Sequence, residues 1–337
     1  MPDISFVVAN WNGGDLLRAG LATIAAQRAV IAEIVVVDNG STDGSLDGLD
    51  ALATRLSVIS LGKNHGFAVA TNVGMRRSIA PWIATVNNDC RLAENWAERA
   101  LARASDDRAG SIATLTVRAD DAATIDSAGI ALDRVGIAWD RAGGHTRVDD
   151  EVAPLFGPSG AAALYRRAML DDVGLFDPEF FMYYEDVDLA WRARLRGWEC
   201  SPAFDAVARH VGSASAGRNS PTKRRLLARN KIWTFVKCAT ERDMMAWAIP
   251  AIAYDAVAAG AYVVAAPSSA VDRSARVAAL RGRIDAFRGL HRQLAKRKSI
   301  QGRRAIDSTP GLAPLVGPRQ LRARFAHLPE GGAVKRS

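Results

Sequence analysis

The stretch Ile34-Val35-Val36-Val37-Asp38-Asn39-Gly40-Ser41 carries the reading of the fold. Four consecutive β-branched residues make a strand suited to burial on both faces, and the chain then breaks into a carboxylate and turn-forming residues. The same pattern recurs on either side. Residues 4–9, 33–37, 57–61 and 82–86 are short apolar runs, with helix-patterned segments at 15–27, after Ser41 and at 67–79. This alternation predicts an α/β fold: a Rossmann-like, mainly parallel sheet flanked by helices, with right-handed crossovers. Polar residues gather just past the strands, at Asn10-Trp11-Asn12, Asp38-Asn39-Gly40-Ser41, Asn64-His65-Gly66 and Asn87-Asn88-Asp89. Ligands of open α/β sheets bind outside the carboxyl ends of the strands, so four such ends point to a nucleotide crevice.

Further along, residues 109–150 read as irregular strands and loops, and 158–166 as a glycine turn entering a small-residue strand. Residues 185–197 form a helix with Val187, Trp191 and Leu195 on one stripe, closed by Gly197. Beyond Gly217 the composition turns helical and basic. The expected division is a catalytic domain at 1–220 and a helical, basic, membrane-associating region with a flexible tail at 221–337.

A chain of 337 residues, 49% apolar and 24% charged, has the composition of a folded soluble protein of one large domain with an appendage. Three cysteines without CxxC spacing exclude a disulfide framework and a zinc site, and fit a reducing compartment. The N-terminus runs straight into a strand with no secretory pattern, so a cytoplasmic catalytic domain is expected. The net charge of +8 is uneven: residues 273–304 hold 11 Lys/Arg against the single acid Asp285, which leaves about −2 elsewhere. Such a block reads as a surface for anionic lipid, nucleic acid or an acidic partner, or as a solvated helix face. The stretch 244–266 is long enough to span a bilayer but carries Asp255 midway, which favours helices lying on the domain or at the membrane interface.

The acidic clusters carry the chemistry. Asn87-Asn88-Asp89 ends an apolar strand, where a carboxylate can hold a divalent cation on a diphosphate. Tyr183-Tyr184-Glu185-Asp186 places two adjacent carboxylates at the mouth of a helix, where one can serve as a base or complement the helix dipole. Asp38 and Ser41 can contact a base or ribose, or simply cap a turn. Glycine at Gly66 can expose backbone N–H groups to phosphate.

In this order the motifs resemble the family 2 glycosyltransferases, and more closely their rhamnosyltransferase-like branch. Val37-Asp38 through Ser45 is similar to the first nucleotide-binding signature. Asn64-His65-Gly66-Phe67-Ala68 with Thr71-Asn72 and Gly74 resembles the branch signature N-x-G-F-A-x-x-x-N-x-G, and Glu185-Asp186 the family's E-D motif. The resemblance implies a GT-A-type fold with a C-terminal helical basic extension. It implies an inverting enzyme with Asp186 as general base and Glu185 orienting the acceptor or neighbouring groups. Donor-binding roles fall to Asn10, Trp11, Asp38, Ser41, Asn64, Gly66, Asn72 and Asn88, with Trp11 where the family often has tyrosine. Mg²⁺ or Mn²⁺ would sit on Asp89, which stands alone where the family has D-x-D. His210 would lie nearby, although Ser213 follows one position early and a structural histidine fits almost as well. The implied donor is a nucleoside-diphosphate sugar such as dTDP-rhamnose, and the implied acceptor a glycan or polyprenyl-linked saccharide of the cell envelope. The expected location is the cytoplasmic face of the plasma membrane, peripheral on anionic lipid, without a nucleic-acid partner. Two other readings stay open: a sugar-phosphate nucleotidyltransferase, which would want a basic glycine-rich loop after the first strand, and a catalytically silent membrane scaffold.

Overall fold

The computed structural model describes residues 1–28, 30–49, 52, 55–149, 153–212, 220–264 and 270–315. Strands β1 (Ile4–Asn10), β2 (Ala32–Asp38), β3 (Leu56–Ser60) and β4 (Trp82–Val86) lie parallel in the order β3-β2-β1-β4. Helices α1 (Gly14–Ala25) and α2 (Phe67–Arg77) provide crossovers. The segment after Ser41 forms turns, where a helix was expected. Its polar side chains hold the local backbone, Asp43 accepting from the N–H of Ser45 at 3.1 Å, and compete with helix formation.

Past β4 the sheet is mixed. Next come β5 (Cys90–Leu92), α3 (Trp96–Leu101), β6 (Ala109–Arg118), β7 (Ile125–Ser127), β8 (Ile130–Leu132) and β9 (Ala138–Asp140), followed by β10 (Ala162–Arg166) and α4 (Arg167–Val173). β10 runs antiparallel between β4 and β6, whereas β11 (Glu199–His210) is parallel to β6 and antiparallel to β5. The region expected to hold irregular strands and loops supplies β6, a long buried strand of the sheet, with the short strands β7, β8 and β9 and their loops beyond it.

Alternation along β1 sets the layers. Phe6 and Val8 pack with Leu17 and Leu21 of α1 and Trp96 of α3 on one face; Val7 packs with Met75 of α2 and Leu170 of α4 on the other. On this second face lies α5 (Glu185–Leu195), which follows a short 3₁₀ turn at Pro178–Phe180. The α5 stripe Val187, Trp191 and Leu195 is covered by Trp233 and Phe235 of α6 (Pro221–Cys238) and by Phe156. The division at residue 220 is thus no break in packing: α6 completes the core beneath α5.

Helices α7 (Glu241–Val264), α8 (Ala270–Arg288) and α9 (Leu290–Gly302) complete the C-terminal layer. Much of its positive charge faces inward. Lys296 contacts Asp177 at 2.7 Å, Arg292 contacts Glu179 at 3.1 Å and Arg303 contacts Asp172 at 3.2 Å. The basic block is therefore partly a docking seam onto the acidic edge of the α/β domain.

Candidate active site

The strand ends converge as their polar tips require. Asn10, buried at the end of β1, donates through Nδ2 to Ser41 Oγ at 3.0 Å and Ser45 Oγ at 2.9 Å, and accepts from Asn88 Nδ2 at 3.0 Å. Asp38 accepts from the N–H groups of Gly40 and Ser41, each at 3.2 Å. One amide thus links the ends of β1, β2 and β4. Trp11 stands 37% exposed just beyond, an open indole face at this rim.

The Asn64–Gly66 turn departs from the expected phosphate cradle. Asn39 Oδ1 takes the N–H of His65, Asn64 Oδ1 takes that of Gly66, and Phe181 O takes that of Ala68. Gly66 has φ +89°, and a Cβ there would lie 2.5 Å from the Phe181 ring. Asn72 is also engaged, donating to Phe176 O at 2.7 Å and accepting from Phe176 N–H at 3.0 Å. Gly66 and Asn72 therefore brace the loop that precedes α5, while Asn64 Oδ1 accepts from Asn39 Nδ2 and Gly66 N–H within its own turn.

That loop is strained. Phe181, Tyr183 and Tyr184 all have positive φ, between 66° and 70°. Such conformations cost on the order of 1–3 kcal/mol each and persist only when the surroundings over-determine them. Asn230 of α6, fully buried, donates to the carbonyls of Phe180, Met182 and Tyr183 at 2.7–3.1 Å, and Arg229 donates to those of Glu179 and Phe180. The clamp presents the first turn of α5.

Within that turn Asp186 and Glu185 diverge. Asp186 is half-buried and accepts from Gly160 N–H at 3.1 Å and from Val187 N–H at 2.8 Å. A Cβ on Gly160 would meet its carboxylate at 3.3 Å. Burial raises the Asp186 pKa, while these N–H donors hold the rise back. Glu185 is buried, and its Oε2 has no partner among the described residues. Burial first, then the charge of Asp186, pushes its carboxyl well above the ordinary glutamate value. A carboxyl enclosed by the core is poorly placed to reach an acceptor in the crevice, which leaves orientation of neighbouring groups as the role open to Glu185.

Asp89 and His210 meet across β5 and β11, with His210 Nε2 3.2 Å from Asp89 Oδ1. Behind them Asp126, at the β7 edge, contacts His210 Nδ1 at 2.8 Å. Burial opposes the charged imidazole, yet the two carboxylates hold its pKa well above the usual histidine value. Ser213 lies outside the described residues. Asp140 keeps an edge open to solvent, yet the dense protein around it, and then the charges of Asp126 and Asp186, push its carboxyl up to about 7. Asp126 and Asp140 carried no sequence signal, because β7 and β9 are three-residue strands in a stretch without periodicity.

This donor set fits a divalent cation. Asp89 Oδ1 offers a hard carboxylate oxygen and His210 Nε2, once its proton leaves, a borderline imidazole nitrogen, and Asp126 on the far ring nitrogen is the usual orienting partner of a metal-bound imidazole. Cys90 lies close enough to join them but is fully buried. Its Sγ faces Ala161 O at 3.3 Å, and burial pushes its thiol up to about 12, so it remains a packed thiol.

Comparisons with known proteins agree with this geometry. The chain is 28% identical over 249 residues to the N-acetylglucosaminyl-diphospho-decaprenol L-rhamnosyltransferase of Mycobacterium tuberculosis strain H37Rv, covering 65% of this chain and 80% of the relative. Among solved structures it resembles the mannosyltransferase PcManGT from Pyrobaculum calidifontis in complex with GDP-Man and Mn²⁺. There the TM-score is 0.51 at 18% identity, over 89% of this chain and 85% of that one. It also resembles GalNAc-T7 with UDP, GalNAc and Mn²⁺, at a TM-score of 0.58 and 17% identity over 89% and 58% of the two chains. The fold is GT-A, and the rhamnosyltransferase-like resemblance is supported by the mycobacterial relative. Since the glycosyl transferase family 2 model matches residues 5–174, half of the chain, the protein belongs to that family.

Proposed function

We propose that the protein is an inverting glycosyltransferase that moves a sugar, with rhamnose the leading candidate, from a nucleoside-diphosphate donor to a lipid-linked saccharide of the cell envelope. The observation that carries this reading is Asp186, held by Gly160 N–H at the mouth of α5 while its neighbour Glu185 is buried. In-line displacement with inversion needs one carboxylate on the acceptor side to take the hydroxyl proton. A single available carboxylate in the α5 turn meets that need. The first strand end, Asn10-Trp11-Asn12-Gly13-Gly14-Asp15, lacks the basic residues of a nucleotidyltransferase loop.

Asp89 and His210 would hold Mg²⁺ or Mn²⁺, and the ion would neutralise the leaving diphosphate. Trp11 would stack on the base, with the Asn10, Asp38, Ser41 and Asn88 network fixing the shape of the donor pocket. The mycobacterial relative acts, by its name, on a decaprenol-linked acceptor, which supports a polyprenyl-linked substrate and work at the cytoplasmic membrane face. Transfer assays with a panel of nucleotide sugars and a short polyprenyl-diphosphate saccharide test the reading. Product with the anomeric configuration opposite to the donor's is expected; retained configuration would exclude Asp186 as the base of a single displacement.

Two further outcomes follow. Asp126→Ala is expected to weaken the Mn²⁺-dependent part of nucleoside-diphosphate binding about 10–100-fold, and Asp89→Ala at least as much. Calorimetric titrations with and without Mn²⁺ measure this, and an equal metal effect in variant and wild type would make both residues structural. Asn230→Ala frees the strained loop under α5 and is expected to lower kcat about tenfold or more, because small displacements of a base are costly. Its donor affinity should stay near wild type in the same titrations.

A further inference from the structure

The C-terminal layer turns two coherent surfaces outward. On α7 the exposed residues Met245, Ile249, Ile252, Val257 and Val263 form an apolar stripe about 27 Å long at the 1.5 Å rise of a helix. Ile249 is 81% exposed and Ile252 69%. The polar residue of the helix middle faces the other way: Asp255 contacts Lys231 at 2.7 Å and Arg283 at 3.1 Å. Trp247 and Tyr254 also lie inward, beneath Arg134 and Lys231. Among the described residues α7 is the one helix long and apolar enough to cross a bilayer, yet its inner side is tied to the domain.

On α8 and α9 the outward face alternates aliphatic, aromatic and basic residues. Val277, Ile284, Phe287 and Leu294 are exposed, Phe287 at 70%. Exposed Arg273, Arg281, Arg288 and Lys298 stand among them, while Arg292, Lys296 and Arg303 serve the inward seam. Apolar side chains interleaved with outward cations suit the headgroup layer of an anionic bilayer, which attracts each Lys or Arg near its surface. A second protein copy would instead have to bury these four cations together.

We infer that α7 lies in the membrane plane, with its Met245–Val263 side in the lipid, and that the α8–α9 ridge reads anionic headgroups. The surface stands on this geometry; only its purpose, bringing the crevice to a lipid-linked acceptor, rests on the function proposed above. Full-length protein is mixed with vesicles of phosphatidylcholine alone, or of phosphatidylcholine with phosphatidylglycerol, free of acceptor. Flotation with the anionic vesicles and release by alkaline carbonate are expected. The pair Ile249→Asp and Ile252→Asp should weaken binding about tenfold or more at both low and high salt. The pair Arg281→Glu and Arg288→Glu should do so only at low salt and only with anionic vesicles. All four positions are exposed, so donor binding, measured alongside, should be unchanged. Carbonate-resistant protein would show α7 spanning the bilayer and overturn the inference. So would undiminished vesicle binding by the isoleucine pair, or its conversion of a wild-type dimer to monomer without loss of vesicle binding. Vesicle binding as described, with no transfer to a lipid-linked saccharide, would support the surface and overturn only the acceptor reading.

Discussion

Asp186→Asn should lower transfer by about 10²–10⁴-fold while leaving folding and donor affinity near wild type. Asparagine keeps the shape but has one amide oxygen, so it can accept from Gly160 N–H or from Val187 N–H, which now bond to separate oxygens at 3.1 Å and 2.8 Å, and not from both. What it loses is the proton acceptor. Steady-state transfer rates set against calorimetric donor affinity separate the two, and turnover close to wild type would remove Asp186 from the role of base. The pH dependence carries the same assignment. Burial raises the Asp186 pKa above its ordinary 3.8, and the base works only when ionised. Activity should therefore fall as pH drops, with the acid limb lying above the ordinary aspartate range and absent from the residual rate of the asparagine variant.

Lys237→Met should destabilise the protein by about 3–5 kcal/mol, the usual cost of removing one partner from a buried ion pair. Lys237, its side chain 2% exposed, bridges Asp177 and Asp188, each at 2.7 Å. Asp188 keeps Arg192 at 2.8 Å and Asp177 keeps Lys296 at 2.7 Å, which places the loss toward the lower end. Urea denaturation followed by tryptophan fluorescence measures it; a change under about 1 kcal/mol would show that the remaining cations suffice. Burial opposes the Asp177 charge, but Lys237 and Lys296 outweigh it and hold the carboxyl down at about 2. A depressed carboxyl stabilises the fold above its unfolded pKa and loses that contribution as pH falls through the folded value. Wild-type stability should thus decline between about pH 4 and pH 2, and the Lys237→Met variant should decline less across that window.

Local pattern made the first half of the fold legible. The Ile34–Val37 run, the parallel β3-β2-β1-β4 order and the polar residues at its strand ends follow from β-branched composition and turn chemistry, which act over a few residues. Glu185-Asp186 at the mouth of α5 was legible for the same reason. The sequence by itself thus determined the α/β class, the crevice side of the sheet, the family resemblance and the pair of carboxylates from which the proposed base is drawn.

Tertiary structure decided the rest. It set Asp186 and Glu185 apart, because Gly160 offers an N–H to one and the core encloses the other. It set Asp126 behind His210 across 84 residues of chain, a pairing made by the approach of β7 and β11 to β6 that no local spacing encodes. It turned Asn72 into a brace, because Phe176 arrives from a distant loop to pair with its amide, and it set Phe181 against Gly66 and the Ala68 N–H. It also divided the basic C-terminal block between an inward seam on Asp172, Asp177 and Glu179 and an outward ridge. Net charge is a sum over residues, whereas what each cation does depends on which acid the fold carries to it.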